Sequence, residues 1–163
     1  MQKVIFLVVF LFSFFSLAQI EDPVDWFFSV EETSDNKDNL IINAEIEKGW
    51  RVYSQNIDGD GPIPTSFQFF GDSLEFNLLG EVQESNAITK FDLMFEMELS
   101  YFENSALFKQ KVSVSNRISS IKGELEFMVC NDVMCLPPDY IDMHFELKKK
   151  DKLESAKESL KLA

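Results

Sequence analysis

Much of what builds catalytic and metal sites is scarce in this chain. Its 163 residues hold one histidine and two cysteines. A Ser-His-Asp or Cys-His arrangement would have to be built around His144, which sits in a strand-like pattern, Ile141 to Leu147, and reads as an ordinary surface or edge residue. A zinc site from Cys130, Cys135, His144 and a carboxylate fits no standard ligand spacing, so no metal is expected. Cations are scarce too: 15 Lys and Arg stand against 28 Asp and Glu, a formal net charge of −13. A surface this acidic repels phosphate backbones and anionic lipid, which excludes nucleic acid as a partner. Beyond residue 18 no apolar run is long enough to span a bilayer, and no internal repeat is found. The run Asn56-Ile57-Asp58-Gly59-Asp60-Gly61 has the alternating oxygens and sixth-position glycine of a calcium loop. Its twelfth position is Phe67 rather than a bidentate Glu, and Pro62 and Pro64 intervene, so it reads as a plain turn.

What the chain does have begins with an export signal. Lys3 precedes the apolar run Val4 to Phe15, and Ser16-Leu17-Ala18 supplies small residues where a signal peptidase reads. Cleavage after Ala18 is expected, giving a chain that starts at Gln19, is exported to the periplasm and keeps no membrane insertion. No cysteine stands at the cleavage point, which argues against a lipoprotein. The remaining length suits one domain, residues 19–147. Residues 148–163 form a polar tail with Leu153, Ala156 and Leu160 at helical spacing, too short and polar to be a stable helix alone.

Within the domain, short runs rich in Phe, Val, Ile and Leu alternate with clusters of Asp, Asn, Ser, Gly and Pro. Strands are predicted near Val24–Val30, Leu40–Ile46, Trp50–Ser54, Ser66–Phe69, Leu74–Leu79, Phe91–Leu99, Ala106–Val114, Gly123–Val129 and Ile141–Leu147. Leu40, Ile42, Ala44 and Ile46 share one face of their strand; Leu125, Phe127 and Val129 share one face of theirs. This spacing of short strands predicts an all-β, antiparallel β-sandwich, with phenylalanine filling the core.

The two cysteines, Cys130 and Cys135, lie in Val129-Cys130-Asn131-Asp132-Val133-Met134-Cys135-Leu136-Pro137-Pro138. In an oxidising compartment they should close into a disulfide. A staple across so short a loop contributes only about 2 kcal/mol in the chain-entropy picture, against about 4.7 for a hundred-residue loop. Local pairs are also what thiol–disulfide exchange uses, because the second thiol stays near enough to resolve a mixed disulfide. The residues leave both readings open: a redox pair, or a non-catalytic secreted binding or assembly module whose disulfide only fixes a loop. Asp132 and Asp139 nearby argue against a strongly activated thiol.

Two segments resemble a known family. Gly49-Trp50-Arg51-Val52-Tyr53-Ser54-Gln55-Asn56 running on to Gly61-Pro62-Ile63-Pro64, and Phe127-Met128-Val129-Cys130 through Cys135-Leu136-Pro137-Pro138, are similar to the amino-terminal periplasmic domain of the thiol:disulfide interchange protein DsbD, the disulfide bond corrector domain family. The resemblance implies an immunoglobulin-like sandwich in freestanding form, acting as a protein-disulfide reductase or redox shuttle without a cofactor. It implies that Cys130 and Cys135 pass electrons from a membrane thiol-disulfide carrier to periplasmic thioredoxin-fold proteins. It also places Trp50 and Tyr53 beside the site, and Ser100-Tyr101-Phe102-Glu103 as a loop capping the disulfide.

Overall fold

The computed structural model describes residues 21–33, 37–71, 75–114 and 118–148. The expected signal peptide and residues 149–163 of the polar tail lie outside them. The described residues form twelve strands and no helix: β1 (Val24–Glu32), β2 (Lys37–Ile46), β3 (Arg51–Tyr53), β4 (Ser66–Phe70), β5 (Phe76–Leu78), β6 (Gln83–Glu84), β7 (Ile88–Asp92), β8 (Met97–Phe102), β9 (Ser105–Val114), β10 (Ser120–Phe127), β11 (Val129–Cys130) and β12 (Asp139–Glu146).

All pairings are antiparallel and fall into three sheets. The first runs β1-β2-β9-β5, with β6 also on β9; the second runs β12-β10-β4; the third runs β11-β3-β8-β7. Strict two-residue alternation builds the first two. On β2, Leu40, Ile42 and Ala44 are fully buried while Asn43 and Glu45 face out; on β10, Ile121, Leu125 and Phe127 are buried between half-exposed neighbours. The inner faces meet through phenylalanine. Trp26 of β1 stands edge-on to Phe127 of β10 at 5.1 Å, Phe67 of β4 meets Phe108 of β9 at 5.0 Å, and Phe28 meets Phe145 of β12 at 5.7 Å. These offset and edge-to-face pairs add to area burial in joining the layers.

Gly123 shows how tightly the second sheet is packed. A Cβ there would lie 2.4 Å from the Gln68 carbonyl oxygen of β4 and 2.7 Å from Met143 Cε of β12, so only glycine fits.

The third sheet is where both layers send a strand. β2 turns through Gly49, at φ 92°, and leaves the first sheet as β3; β10 breaks at Met128 and leaves the second as β11. The two outgoing strands pair, Val129 with Val52 and Cys130 with Arg51. Two expected strands are therefore divided. Gly123–Val129 is split at Met128, and Phe91–Leu99 is a hairpin of β7 and β8. The second split has a local cause: Asp92 Oδ1 accepts hydrogen bonds from the Met94 and Phe95 amides at 2.8 and 3.2 Å, and Glu96 takes a left-handed φ of 55°. The calcium-like run is a loop that touches both the first and the third sheet, with Asn56 bonded to Glu84 of β6 and Gly61 packed so closely that a Cβ would meet Met97 Sδ of β8 at 3.2 Å.

Candidate functional site

Cys130 ends β11 fully buried, and the chain returns at once so that Cys135 faces it. The return is held by its own hydrogen bonds. Asn131 Oδ1 accepts from the Val133 and Met134 amides at 2.8 and 2.9 Å, the Asn131 amide donates to the Met134 carbonyl at 2.9 Å, and the Leu136 amide donates to the Val129 carbonyl at 3.0 Å. None of these bonds involves sulfur. The turn brings the two cysteines to a Cα–Cα distance of 4.0 Å, and they form a disulfide. Cys135 is partly exposed where Cys130 is not, so Cys135 is the outward member of the pair and Cys130 the inward one.

The β7–β8 turn, residues 93–96, lies over the outward sulfur. Met94 Sδ sits 3.5 Å from Cys135 Sγ, and the Phe95 ring stands edge-on to Tyr53 at 6.1 Å. A disulfide sulfur carries no proton, so the Met94 approach is a sulfur–sulfur contact and not a hydrogen bond. Beneath it, Tyr53, Leu99, Tyr101 and Cys130 form a small buried cluster, with Phe95, Met97 and Met128 packed against it. Around the disulfide, Leu93 and Val133 are 86% and 84% exposed, which leaves an apolar rim on the two loops that flank the sulfurs.

Charge is concentrated beside this cluster. The Arg51 guanidinium donates to the Asn131 carbonyl at 3.0 Å, pairs with Asp132 at 3.2 Å and stands over the Tyr101 ring at 5.5 Å. Burial pulls its pKa down, but Tyr53, Asp92, Asp132 and Tyr101 outweigh that and leave it raised. Asp132, expected to weigh against the thiols, thus has its charge met by Arg51, and Asp139 is used at the start of β12, where its carboxylate accepts from the Tyr140 amide. Burial, and then the charge of Asp92, pushes the Tyr53 phenol up to about 12. Its hydroxyl is buried beside Arg51 with no geometrically sound hydrogen bond, and Arg51 Nε is likewise unpartnered.

Of the residues singled out from sequence, Cys130, Cys135, Tyr53 and Tyr101 are brought together here. Trp50 and Phe102 belong to the main core instead, with Phe102 edge-on to Phe108 at 5.4 Å. The segment Ser100–Glu103 is the end of β8 and the following turn; the loop over the sulfurs is 93–96. Asp92, Met94, Phe95 and the role of Arg51 were missed. A lone Asp before three large apolar residues was their only signal. His144 lies on the exposed face of β12 with Nε2 2.7 Å from Glu146. Among the described residues no group of His, Cys, Asp and Glu is placed to hold a metal.

The sequence matches the family described as thiol:disulfide interchange protein DsbD, N-terminal, over residues 18–146. The chain belongs to this DsbD N-terminal family. Solved structures agree on the fold. The reduced DsbD N-terminal domain of Neisseria meningitidis is 15% identical, with a TM-score of 0.51 over 77% of this chain and 84% of that one. The same Neisseria domain in complex with the N-terminal domain of PilB is 16% identical, with a TM-score of 0.53 over 79% and 87%. The N-terminal periplasmic domain of ScsB from Proteus mirabilis is 12% identical, with a TM-score of 0.60 over 85% of this chain and 53% of that one. No curated protein matches the sequence. As a DsbD N-terminal domain, the chain has an immunoglobulin-like, all-β sandwich fold, and its Cys130–Cys135 disulfide supports a role in thiol–disulfide interchange. Among the described residues no helix is long and apolar enough to cross a membrane.

Proposed function

We propose that the protein is a periplasmic electron shuttle, exported by cleavage after Ala18, that takes two electrons from a membrane thiol-disulfide carrier and passes them to thioredoxin-fold proteins. The observation that carries this is the turn between the cysteines, whose hydrogen bonds are made by the backbone and Asn131 and use neither sulfur. A staple has no need of a turn that closes without it. An exchange pair does, because the second thiol must stay within reach.

The burial asymmetry supports a division of roles. In the reduced protein the Cys135 thiolate, on the open side, attacks a partner disulfide; that bond breaks, a mixed disulfide forms and the partner's other sulfur leaves as a thiolate. Cys130, now deprotonated, attacks Cys135 Sγ, which restores the intramolecular bond and releases the partner as a dithiol. Two electrons and two protons pass to the partner. Recharging by the membrane carrier is the same sequence reversed. Met94 and Phe95 cover the oxidised pair and limit indiscriminate exchange until a partner displaces them, the part expected earlier of Ser100–Glu103.

The test is capture in the native host. Cys130→Ala, which leaves the outward thiol without its resolver, should accumulate a mixed disulfide with a specific partner. Cys135→Ala should capture about tenfold less, because the remaining sulfur is buried. Capture of nothing by either variant, with a reduction potential well below about −300 mV, would mark the bond as structural and favour a binding module instead.

A further inference from the structure

Arg51 takes no part in the electron transfer, yet it touches both the cysteine turn and the hairpin that covers it. It stands directly across the ladder from Cys130, and only 16% of its side chain is exposed. On one side, Nη2 donates to the Asn131 carbonyl at 3.0 Å and lies 3.2 Å from Asp132 Oδ1, both in the cysteine turn. On the other, it lies 3.9 Å from Asp92 Oδ2 in the hairpin over the sulfurs. Asp92 in turn uses its other oxygen to hold the Met94 and Phe95 amides, and Met94 rests on Cys135. The contacts therefore form a closed ring: cysteine turn, Arg51, Asp92, Met94, Cys135.

An exposed ion pair in this place would contribute little. This one is different on both counts that matter. The Asp92 side chain is 4% exposed, and the link to Asn131 is a charge-assisted hydrogen bond to backbone in a partly desolvated setting. All three contacts converge on the one nitrogen Nη2, and what a lysine ammonium would give up is the delocalised guanidinium held over the Tyr101 ring.

We propose that Arg51 is a positioning residue that latches the covering hairpin to the cysteine turn, and so sets how often Met94 uncovers Cys135. The proposal rests on the exchange reading for its purpose, but its geometry can be tested without any partner. The purified protein is reduced with a phosphine, and alkylation of Cys135 is timed with iodoacetamide and with a polyethylene-glycol maleimide. The ratio of the bulky to the small reagent's rate cancels the thiolate fraction and reads access alone.

Arg51→Met should raise that ratio about fivefold or more, since the covered state loses the ion pair to the buried Asp92 carboxylate. Asp92→Asn keeps the acceptor oxygen for Met94 and Phe95 but drops the anion, so it should raise the ratio less. The double variant should do no more than Arg51→Met, because both remove one link, and Arg51→Lys should recover only part of the closure. A ratio unchanged in Arg51→Met, or effects that simply add, would overturn the latch. Should Arg51→Met fail to fold, Asp92→Asn decides alone, and an unchanged ratio there overturns it. Failure of mixed-disulfide capture with Cys130→Ala would instead sink the exchange reading and leave this ratio measurable.

Discussion

Tyr53 carries its hydroxyl into the cluster under the disulfide without a sound partner, and an unmatched buried polar group normally costs stability. Its ring does the useful work, packing edge-on to Phe95. Tyr53→Phe keeps that ring and removes the unpaired oxygen. It is expected to raise the unfolding free energy by about 1 kcal/mol in urea titration at neutral pH; a loss of similar size would show that the hydroxyl is satisfied after all. The same residue makes a pH prediction. The folded chain keeps the phenolic proton up to about pH 12, raised by burial first and then by Asp92, whereas an unfolded tyrosine releases it near pH 10. Between those values the unfolded state binds fewer protons than the folded one, so stability falls as pH rises from about 10 to about 12 and has no slope from this group below that window. In Tyr53→Phe that alkaline limb should flatten.

At the scale of elements, the cysteine turn is the part whose local bonds the proposed exchange depends on. Asn131→Ala removes the acceptor for the Val133 and Met134 amides. In the oxidised protein the disulfide still closes the loop, so Tm should fall only by the equivalent of about 1 kcal/mol. In the reduced protein nothing replaces the lost bonds, and the two thiols spend more time apart. A mixed disulfide formed on Cys135 should therefore persist about fivefold longer before Cys130 resolves it, read by quenched mass spectrometry. Unchanged resolution would mean that the turn does not hold the pair together. The strands themselves were legible from alternation: β2 and β9 were found, and the buried face of β10 with them though not its end at Phe127, because one face of each is buried, and a one-residue slip would turn Leu40, Ile42 and Ala44 outward. The hairpin over the sulfurs was not legible. Leu93, Met94 and Phe95 are large and apolar, with neither Gly nor Pro to mark a turn, and they continue a strand pattern unless Asp92 is known to be bonded to their amides. The same gap hid the site. Cys130 and Cys135 are neighbours in sequence and could be found there, but Arg51 and Met94 reach them only because β11, β3 and the β7–β8 hairpin, far apart in sequence, pair in one sheet.

A domain that alternates between dithiol and disulfide must keep its fold in both states, so its stability cannot rest on the bond. The arrangement of the core meets that demand. Phe108 of β9 touches Trp26 at 6.2 Å, Phe67 at 5.0 Å and Phe102 at 5.4 Å, and so joins β1, β4 and β8 from a fully buried position. Truncating such a ring costs about 3–5 kcal/mol, a large share of the 5–15 kcal/mol typical of a whole domain. Opening the disulfide releases a loop so short that the loss is at most about 2 kcal/mol. The two perturbations should therefore rank opposite to what a disulfide-stapled domain shows. Reduction of the wild type should leave its circular dichroism unchanged and lower Tm by less than about 10 °C, while Phe108→Ala with the disulfide intact should lower it further. If reduction unfolds the chain and Phe108→Ala does not, the bond is the foundation of the fold, and cycling between the two states would unfold the domain at every turnover.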